Sequence, residues 1–393
     1  METADPAEAT AQGWQPLSRV SGGGDPLLEK TLFWEGYDSS SNSYAIAGDS
    51  LAIIDPGNDY LALRELFRTG YGPSEVKKIF LTHGHVEHVM GVFELFQYPS
   101  FSASGGLEII FHPSGPETFR EILRETTEKL SWSPTLTEVH GGESVGLGGH
   151  AFEVIHTPGH TMDSICLYHA PSRSLFSGDT VLPYALASPD PAAGGRAEYH
   201  LFSMKRLMGM RIDNLFPGHG PAVAAEAKRL LDGSYVAIVR KMAGLETPWI
   251  EAAVFFAKKG YLEESLFCCE EDRKLHPENA RSLELKATCL NDLGRFDEAV
   301  GIFGRILETG MNPSFALLGK GYALMGLGKY AESLEVLEEL LRGDPGYAPA
   351  LMYKGMALCL SGRHEEAMQV KHFEKEFLER FRSSLEGSVP PAR

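Results

Sequence analysis

Three imidazoles and a carboxylate fall within six residues at His83-Gly84-His85-Val86-Glu87-His88. Neutral imidazole and ionised carboxylate are ligand types for divalent transition metals. The run follows strand-like VKKIFLT and leads into helical VMGVFELF. A strand-to-helix loop of this kind faces His83 and His85 one way and turns Glu87 and His88 toward a second position, and the helix start favours the charge on Glu87. Three further segments have the same order, a strand followed at once by a polar ligand type: FEVIHTPGHT at His160, SLFSGDT at Asp179 and DNLFPGHG at His219. All are expected at one edge of a sheet, with Gly and Pro beside each ligand permitting tight turns. Upstream, IIDPG leaves two readings for Asp55, an Asx-type turn or an orienter of ligands.

The elements that must carry these loops are readable from periodicity. Short β-rich runs (SYAIAG, LAIID, KKIFLT, LEIIFH, FEVIHT, ICLYH, SLFSG) alternate with helical stretches near 59–69, 115–130 and 223–242, which is the pattern of a mixed α/β domain. The last third differs. GYLEES, GRFDEA, GKYAES and GRHEEA start at Gly260, Gly294, Gly328 and Gly362, a constant spacing of 34. A fixed period with a small residue five positions after each Gly implies helical hairpins that cover one another's apolar faces. Pro277 and Pro345 close their hairpins, whereas Pro313 comes two positions late and makes the second unit irregular; the first unit is the weakest match. The expected organisation is a flexible segment over 1–29, an α/β domain over 30–245, about four repeats over 246–385 and a tail over 386–393.

The chain has 393 residues with Lys+Arg 36 against Asp+Glu 53, a net charge of −17. Such an acidic chain repels phosphate backbones and anionic membranes, so neither nucleic acid nor membrane is an expected partner. No apolar run is long enough to span a bilayer, and the N-terminus lacks the basic and apolar regions of a secretory signal. Five cysteines, two of them adjacent, form no disulfide framework, and a cytoplasmic location is expected.

Taken together, HGHVEH, TPGHT, SGDT, PGHG and the IIDPG segment resemble the metallo-β-lactamase superfamily over roughly residues 30–240, and the 34-residue units resemble tetratricopeptide repeats. The resemblance implies an αββα sandwich followed by an all-α solenoid. It implies that His83, His85 and His160 hold one divalent metal ion and Glu87, His88 and His219 a second, with Asp179 bridging and Asp55 orienting. Two zinc ions, with iron or manganese as other options, would then supply a metal-bridging hydroxide, with Asp179 and Glu87 as the catalytic carboxylates. The family usually has Asp where Glu87 stands, so the longer side chain alters the reach at the second position. True β-lactamases place a Cys near Asp179, flavodiiron proteins have Glu in place of His85, and nuclease branches carry an extra domain. What remains resembles the hydroxyacylglutathione-hydrolase branch, with a small acyl substrate (thioester, ester or lactone), although no glutathione-binding segment is evident. Alternatives are a mononuclear iron persulfide dioxygenase using only the first three histidines, and a non-catalytic repeat scaffold.

Other candidates have plainer readings. His112, His140, His150, His156, His169 and His200 lack the strand-then-turn context and read as structural or solvated. Tyr184 is either packing or a substrate contact, and Cys166, inside an apolar strand, reads as a buried small hydrophobe. Phe315, Leu318, Tyr322, Met325, Met352 and Met356 line a concave face for a protein partner or self-association, or pack on the α/β domain, or are inter-helix core.

Overall fold

The computed structural model describes residues 13–21, 24–58, 60–98, 106–115, 117–130, 132–184, 186–371 and 373. The chain divides into two compact units, Met1–Met242 and Ala243–Arg393.

The first unit is built on two sheets. One has seven strands in sequential order: β1 (Gln15–Pro16), β2 (Thr31–Trp34), β3 (Ser43–Ala47), β4 (Leu51–Ile54), β5 (Val76–Phe80), β6 (Glu108–Phe111) and β7 (Thr135–Glu138). The other has five in the order β12 (Asn214–Pro217), β11 (Ser174–Gly178), β10 (Ile165–His169), β9 (His150–His156) and β8 (Ser144–Leu147). Strands β4 to β7 are mutually parallel, as are β11 and β12, so their C-terminal ends collect on one side. The central strands are buried on both faces, which is why they read as continuous apolar runs. Short, largely exposed β7 (TLTE) carries no such run and was not legible as a strand.

Alternation along each strand sorts side chains between layers. Tyr44, Ile46, Ile54, Phe80, Phe152, Leu167, Phe176 and Phe216 meet in the core between the sheets. There the Phe176 ring meets Tyr44 edge-on at 5.1 Å and lies 4.9 Å from Phe216. The opposite parity, Leu51, Ile53, Ile79 and Ile109, packs with Leu63 and Leu66 of one helix (Tyr60–Arg68), Val92 and Leu95 of a second (Gly91–Leu95), and Phe119 and Leu123 of a third (Glu117–Thr127). Two further helices, Ala197–Met208 and Ala227–Ala243, each bury one apolar stripe.

Three expectations need correction. The ligand segments do not leave one sheet: Asp55 and the His83 loop follow strands of the seven-stranded sheet, whereas His160, Asp179 and His219 follow strands of the other. Within 1–29 the described residues are held in place, because β1 pairs with β2 and Leu17 and Leu27 are fully buried. The expected helical stretches omit the helix Ala197–Met208, although its buried His200, Leu201, Met204 and Leu207 recur at helical spacing. Residues 1–12 and the tail over 386–393 lie outside the described residues.

The second unit is a run of antiparallel helix pairs: Trp249–Lys258 with Leu262–Leu275, Ala280–Asp292 with Phe296–Thr309, Pro313–Gly326 with Tyr330–Gly343, and Ala348–Leu360 with His364–Gln369. Gly260, Gly294, Gly328 and Gly362 turn each pair at φ +80°, +72°, +73° and +82°, a left-handed conformation that glycine adopts without a Cβ penalty. Ser265, Ala299, Ser333 and Ala367, five residues after those glycines, are all fully buried. The two serines donate to carbonyls of the preceding helix, Ala253 O at 2.9 Å and Gly321 O at 2.7 Å, so a small polar residue fits as well as alanine. Met325 and Met352 are buried in the inter-helix core and do not line a face, while Phe315, Leu318 and Met356 are half-buried and Tyr322 is exposed.

Truncating the ring at the centre of the sandwich tests this packing: Phe176→Ala should lower the stability of the first unit by about 3–5 kcal/mol in denaturant titration.

Candidate metal centre

The four expected ligand segments and the Asp55 segment each follow the end of a strand, and the structure brings all seven ligand-type side chains and Asp55 together. Three groups of ligand atoms each lie within 4.8 Å of one another: His83, His85 and His160; His83, His88 and Asp179; and Glu87, His88 and His219.

Hydrogen bonds on the outer ring nitrogens decide which nitrogen of each histidine faces inward. His83 Nδ1 meets Thr82 Oγ1 at 3.1 Å, and that hydroxyl donates onward to Asp55 Oδ2 at 2.6 Å. His85 Nε2 meets Asp190 Oδ2 at 3.1 Å, and His160 Nδ1 meets the Ser188 carbonyl at 2.8 Å. In each ring the outer nitrogen carries the proton and the inner one presents a lone pair. Those inner atoms converge: His85 Nδ1 lies 3.1 Å from both His83 Nε2 and His160 Nε2. Tetrahedral nitrogens about 2.0–2.1 Å from one zinc-sized ion would be about 3.3 Å apart, close to the observed spacing.

Glu87, His88 and His219 form the second position, joined to the first through the buried pair His88–Asp179. His88 is fully buried, and its Nδ1 donates to Asp55 Oδ2 at 2.8 Å. Its Nε2 therefore faces Asp179 Oδ1 at 3.5 Å, and both atoms are buried without a hydrogen-bond partner. A buried lone pair opposite a carboxylate oxygen requires a proton or a cation between them. The other oxygen, Asp179 Oδ2, lies 3.7 Å from His160 Nε2 and 3.6 Å from His219 Nε2, so this carboxylate addresses both groups. Glu87 Oε1 sits 3.7 Å from His85 Nδ1, and the Glu87 and His219 side chains are each 32% exposed, against 0% for His88. The extra methylene of Glu87 thus leaves its carboxylate between the two groups on the open side of the site.

The site electrostatics follow from this burial. Burial alone would lower the His88 pKa, but the carboxylates of Asp179 and Asp55 outweigh it and raise the pKa to about 10. Burial would likewise raise Asp179, yet the facing His88 holds it well below the usual carboxylate range. Desolvation, reinforced by His88, pushes His83 well below the usual imidazole value, and desolvation also lowers His160. These rings are neutral at neutral pH, as ligation requires.

The backbone admits this crowding only where a side chain is absent. A Cβ on Gly218 would stand 2.2 Å from Asp179 Oδ1 and 2.7 Å from His88 Cε1, so the Gly before His219 is needed for close approach. Asp55 forms no Asx-type turn. Its carboxylate takes Thr82 N at 2.8 Å, Thr82 Oγ1 and His88 Nδ1, from a backbone φ of +48°.

Several residues with roles here were not identified from sequence. Asp190, in the SPDP segment, has no local signal, and only its spatial neighbour His85 marks it out. Thr82 and the Ser188 carbonyl are of the same kind. His200 sits in a helix and holds Thr180 O, next to Asp179, at 2.7 Å. His156 holds Met162 O at 2.8 Å, and buried Cys166 has its thiol pushed up to about 11 by desolvation. Tyr184 is 83% exposed, which removes the packing reading.

The description "Metallo-beta-lactamase superfamily" matches residues 36–219, and "Tetratricopeptide repeat" matches residues 318–370. A protein of Methanocaldococcus jannaschii named "Probable metallo-hydrolase" is 31% identical over 199 residues, spanning 47% of this chain and 90% of its own length. A metallo-β-lactamase family protein of Thermus thermophilus superposes with a TM-score of 0.42 at 20% identity, covering 57% of this chain and 87% of that one. The chain belongs to the metallo-β-lactamase superfamily, with tetratricopeptide repeats in its C-terminal part. That family implies divalent metal ions, and the inward lone pairs and the unpartnered His88–Asp179 atoms fit them.

Two outcomes check this electrostatic arrangement. A raised His88 pKa stabilises the metal-free fold fully below pH 6.5, and that stability is lost as pH rises toward about 10. At pH 8 an incoming ion must displace this proton, so calorimetry in buffers of different ionisation enthalpy should show release of about one proton. Because Asp55 serves both groups, Asp55→Ala should weaken zinc uptake by about 10- to 100-fold in chelator competition.

Proposed function

We propose that the chain is a metal-dependent hydrolase in which residues 30–245 carry the reaction and the repeats over 246–385 bind a protein partner or a second copy of the chain. One observation carries this reading: six imidazole and carboxylate side chains gather around Asp179, whose two oxygens address both groups at 3.5–3.7 Å. His83, His85 and His160 would hold one divalent ion and Glu87, His88 and His219 another, zinc being the best fit to this donor set. When bound, the ions supply a Lewis acid and a water made nucleophilic at neutral pH.

The chain's own groups do the rest. Asp55, through Thr82 and His88, holds both groups in register. Asp179 turns one oxygen to His88 and the other to His160 and His219, so a single carboxylate would serve both positions. Glu87 and His219 line the open side, where the reacting carbonyl of a thioester, ester or lactone would enter, and exposed Tyr184 lies on the same chain segment as Asp179. The acidic surface favours a neutral or locally steered acyl substrate over a polyanion.

The test is elemental mass spectrometry on the full chain together with a panel of thioesters, esters and lactones. Two divalent ions per chain with turnover of one class is the expected result. His85→Ala should lose more than the roughly 100-fold that removal of an outer partner can cost, without unfolding. A single bound iron with persulfide oxygenation, or undiminished hydrolysis by His85→Ala, would overturn the two-metal hydrolase.

A further inference from the structure

The two halves of the metal centre are supported unequally, and the difference resides in one short segment. Residues 188–195 follow the Asp179 strand and contain the one-turn helix Pro191–Ala193. This segment reaches two of the three histidines of the first group. The Ser188 carbonyl fixes His160 Nδ1 at 2.8 Å, and the Asp190 carboxylate fixes His85 Nε2 at 3.1 Å. Its backbone is tied back to the same loop, with Asp190 N donating to His160 O at 2.7 Å and Met162 N donating to Ala193 O at 2.9 Å.

The segment also holds its own shape. Asp190 Oδ1 caps Ala192 N at 2.9 Å, leaving Oδ2 for His85, and Gly195 N returns to Asp190 O at 2.7 Å. A Cβ on Gly195 would stand 2.0 Å from His160 O, so the approach to the ligand loop needs that glycine. Lys241 Nζ anchors Ser188 Oγ at 3.0 Å from a separate helix. With Thr82 behind His83, all three rings of the first group have a fixed tautomer and orientation. In the second group only His88 has such a support, from Asp55; among the described residues no hydrogen bond orients the Glu87 carboxylate or the His219 ring, and both are a third exposed.

We propose that Asp190 is a positioning residue that makes the His83–His85–His160 group the tighter of two unequal metal positions, so that the first ion is retained while the second exchanges. The physical basis is preorganisation. A ring already turned to present its lone pair loses little rotational freedom on ligation. His219 and Glu87 must instead be ordered by the ion they bind. The inference rests on the metal-centre reading above and adds the order and inequality of loading.

The experiment is zinc uptake by the metal-free full chain, in competition with a chromophoric chelator. The wild type should take up two equivalents in two resolved steps. Asp190→Asn keeps an oxygen for the Ala192 cap but turns an amide N–H toward His85 Nε2, which favours the opposite tautomer with the proton on Nδ1. It should weaken the first step by about 10- to 100-fold and leave the second unchanged. Nitrogen-15 NMR of the imidazoles in the metal-free chain should show the His85 proton moving from Nε2 to Nδ1, a change that a purely structural role would not produce. His219→Ala should remove the weaker step alone and supplies an independent check should Asp190→Asn not fold. Two equal, unresolved steps, an unchanged first step in Asp190→Asn, or loss of the tighter step in His219→Ala would overturn the inference. Absence of any zinc uptake by the wild type would defeat the metal-centre reading itself.

Discussion

The Asp55 carboxylate joins three pieces of chain that local structure alone would leave independent. One oxygen holds the backbone N–H of Thr82, and the other takes the Thr82 hydroxyl and His88 Nδ1. The ends of two adjacent parallel strands and the start of a short helix are thereby locked, and both His83 and His88 are oriented from one buried point. The left-handed backbone at Asp55 is uncommon for a residue with a Cβ. From that conformation the carboxylate accepts three hydrogen bonds, one of them from a backbone N–H.

Around that point the fold solves a placement problem. Each sheet contributes only part of the candidate ligand set, so these side chains meet only because the two sheets pack face to face with the strand ends that carry them on the same side. The aromatic core of Tyr44, Phe152, Phe176 and Phe216 sets that packing. Direct ties run from one sheet to the other near the site as well. Asn42 donates to Pro217 O at 2.9 Å and Gly220 O at 2.7 Å, and Tyr44 donates to Pro217 O at 2.7 Å, which fixes the strand that delivers His219 to the half that delivers His83. Burial then raises the importance of every polar group. His88 Nε2 facing Asp179 inside a finished core calls for a proton or a cation between the two atoms.

The repeat unit obeys a simpler rule. Each helix pair covers the apolar face of the next, so its stability is nearly a sum of local terms, and a single left-handed glycine per pair sets the turn. No described helix of the chain is long and apolar enough to cross a membrane.

Much of this was legible in the residues alone, for reasons that can be stated. Ligand loops follow strands at once, so strand patterning and His or Asp types coincide in HGHVEH, TPGHT, SGDT and PGHG. The 34-residue period is visible because every pair needs the same glycine and the same small contact residue. Other features were not legible, because their causes are contacts distant in sequence. Asp190 and His85 are 105 residues apart, and nothing local to SPDP marks its carboxylate as an imidazole partner. Asp55 had two equal readings until its distance to His88 excluded one. The division of the ligands between two sheets likewise depends on which strands pair, a choice made by packing. The amino-acid sequence by itself determined the candidate ligand types, the strand-then-loop order and the repeat, since these follow from local chemistry and periodicity. Only the tertiary structure decided the ring tautomers and the unequal hydrogen-bond support of the two groups, because those depend on distances of a few ångströms between segments that meet only when the sheets close.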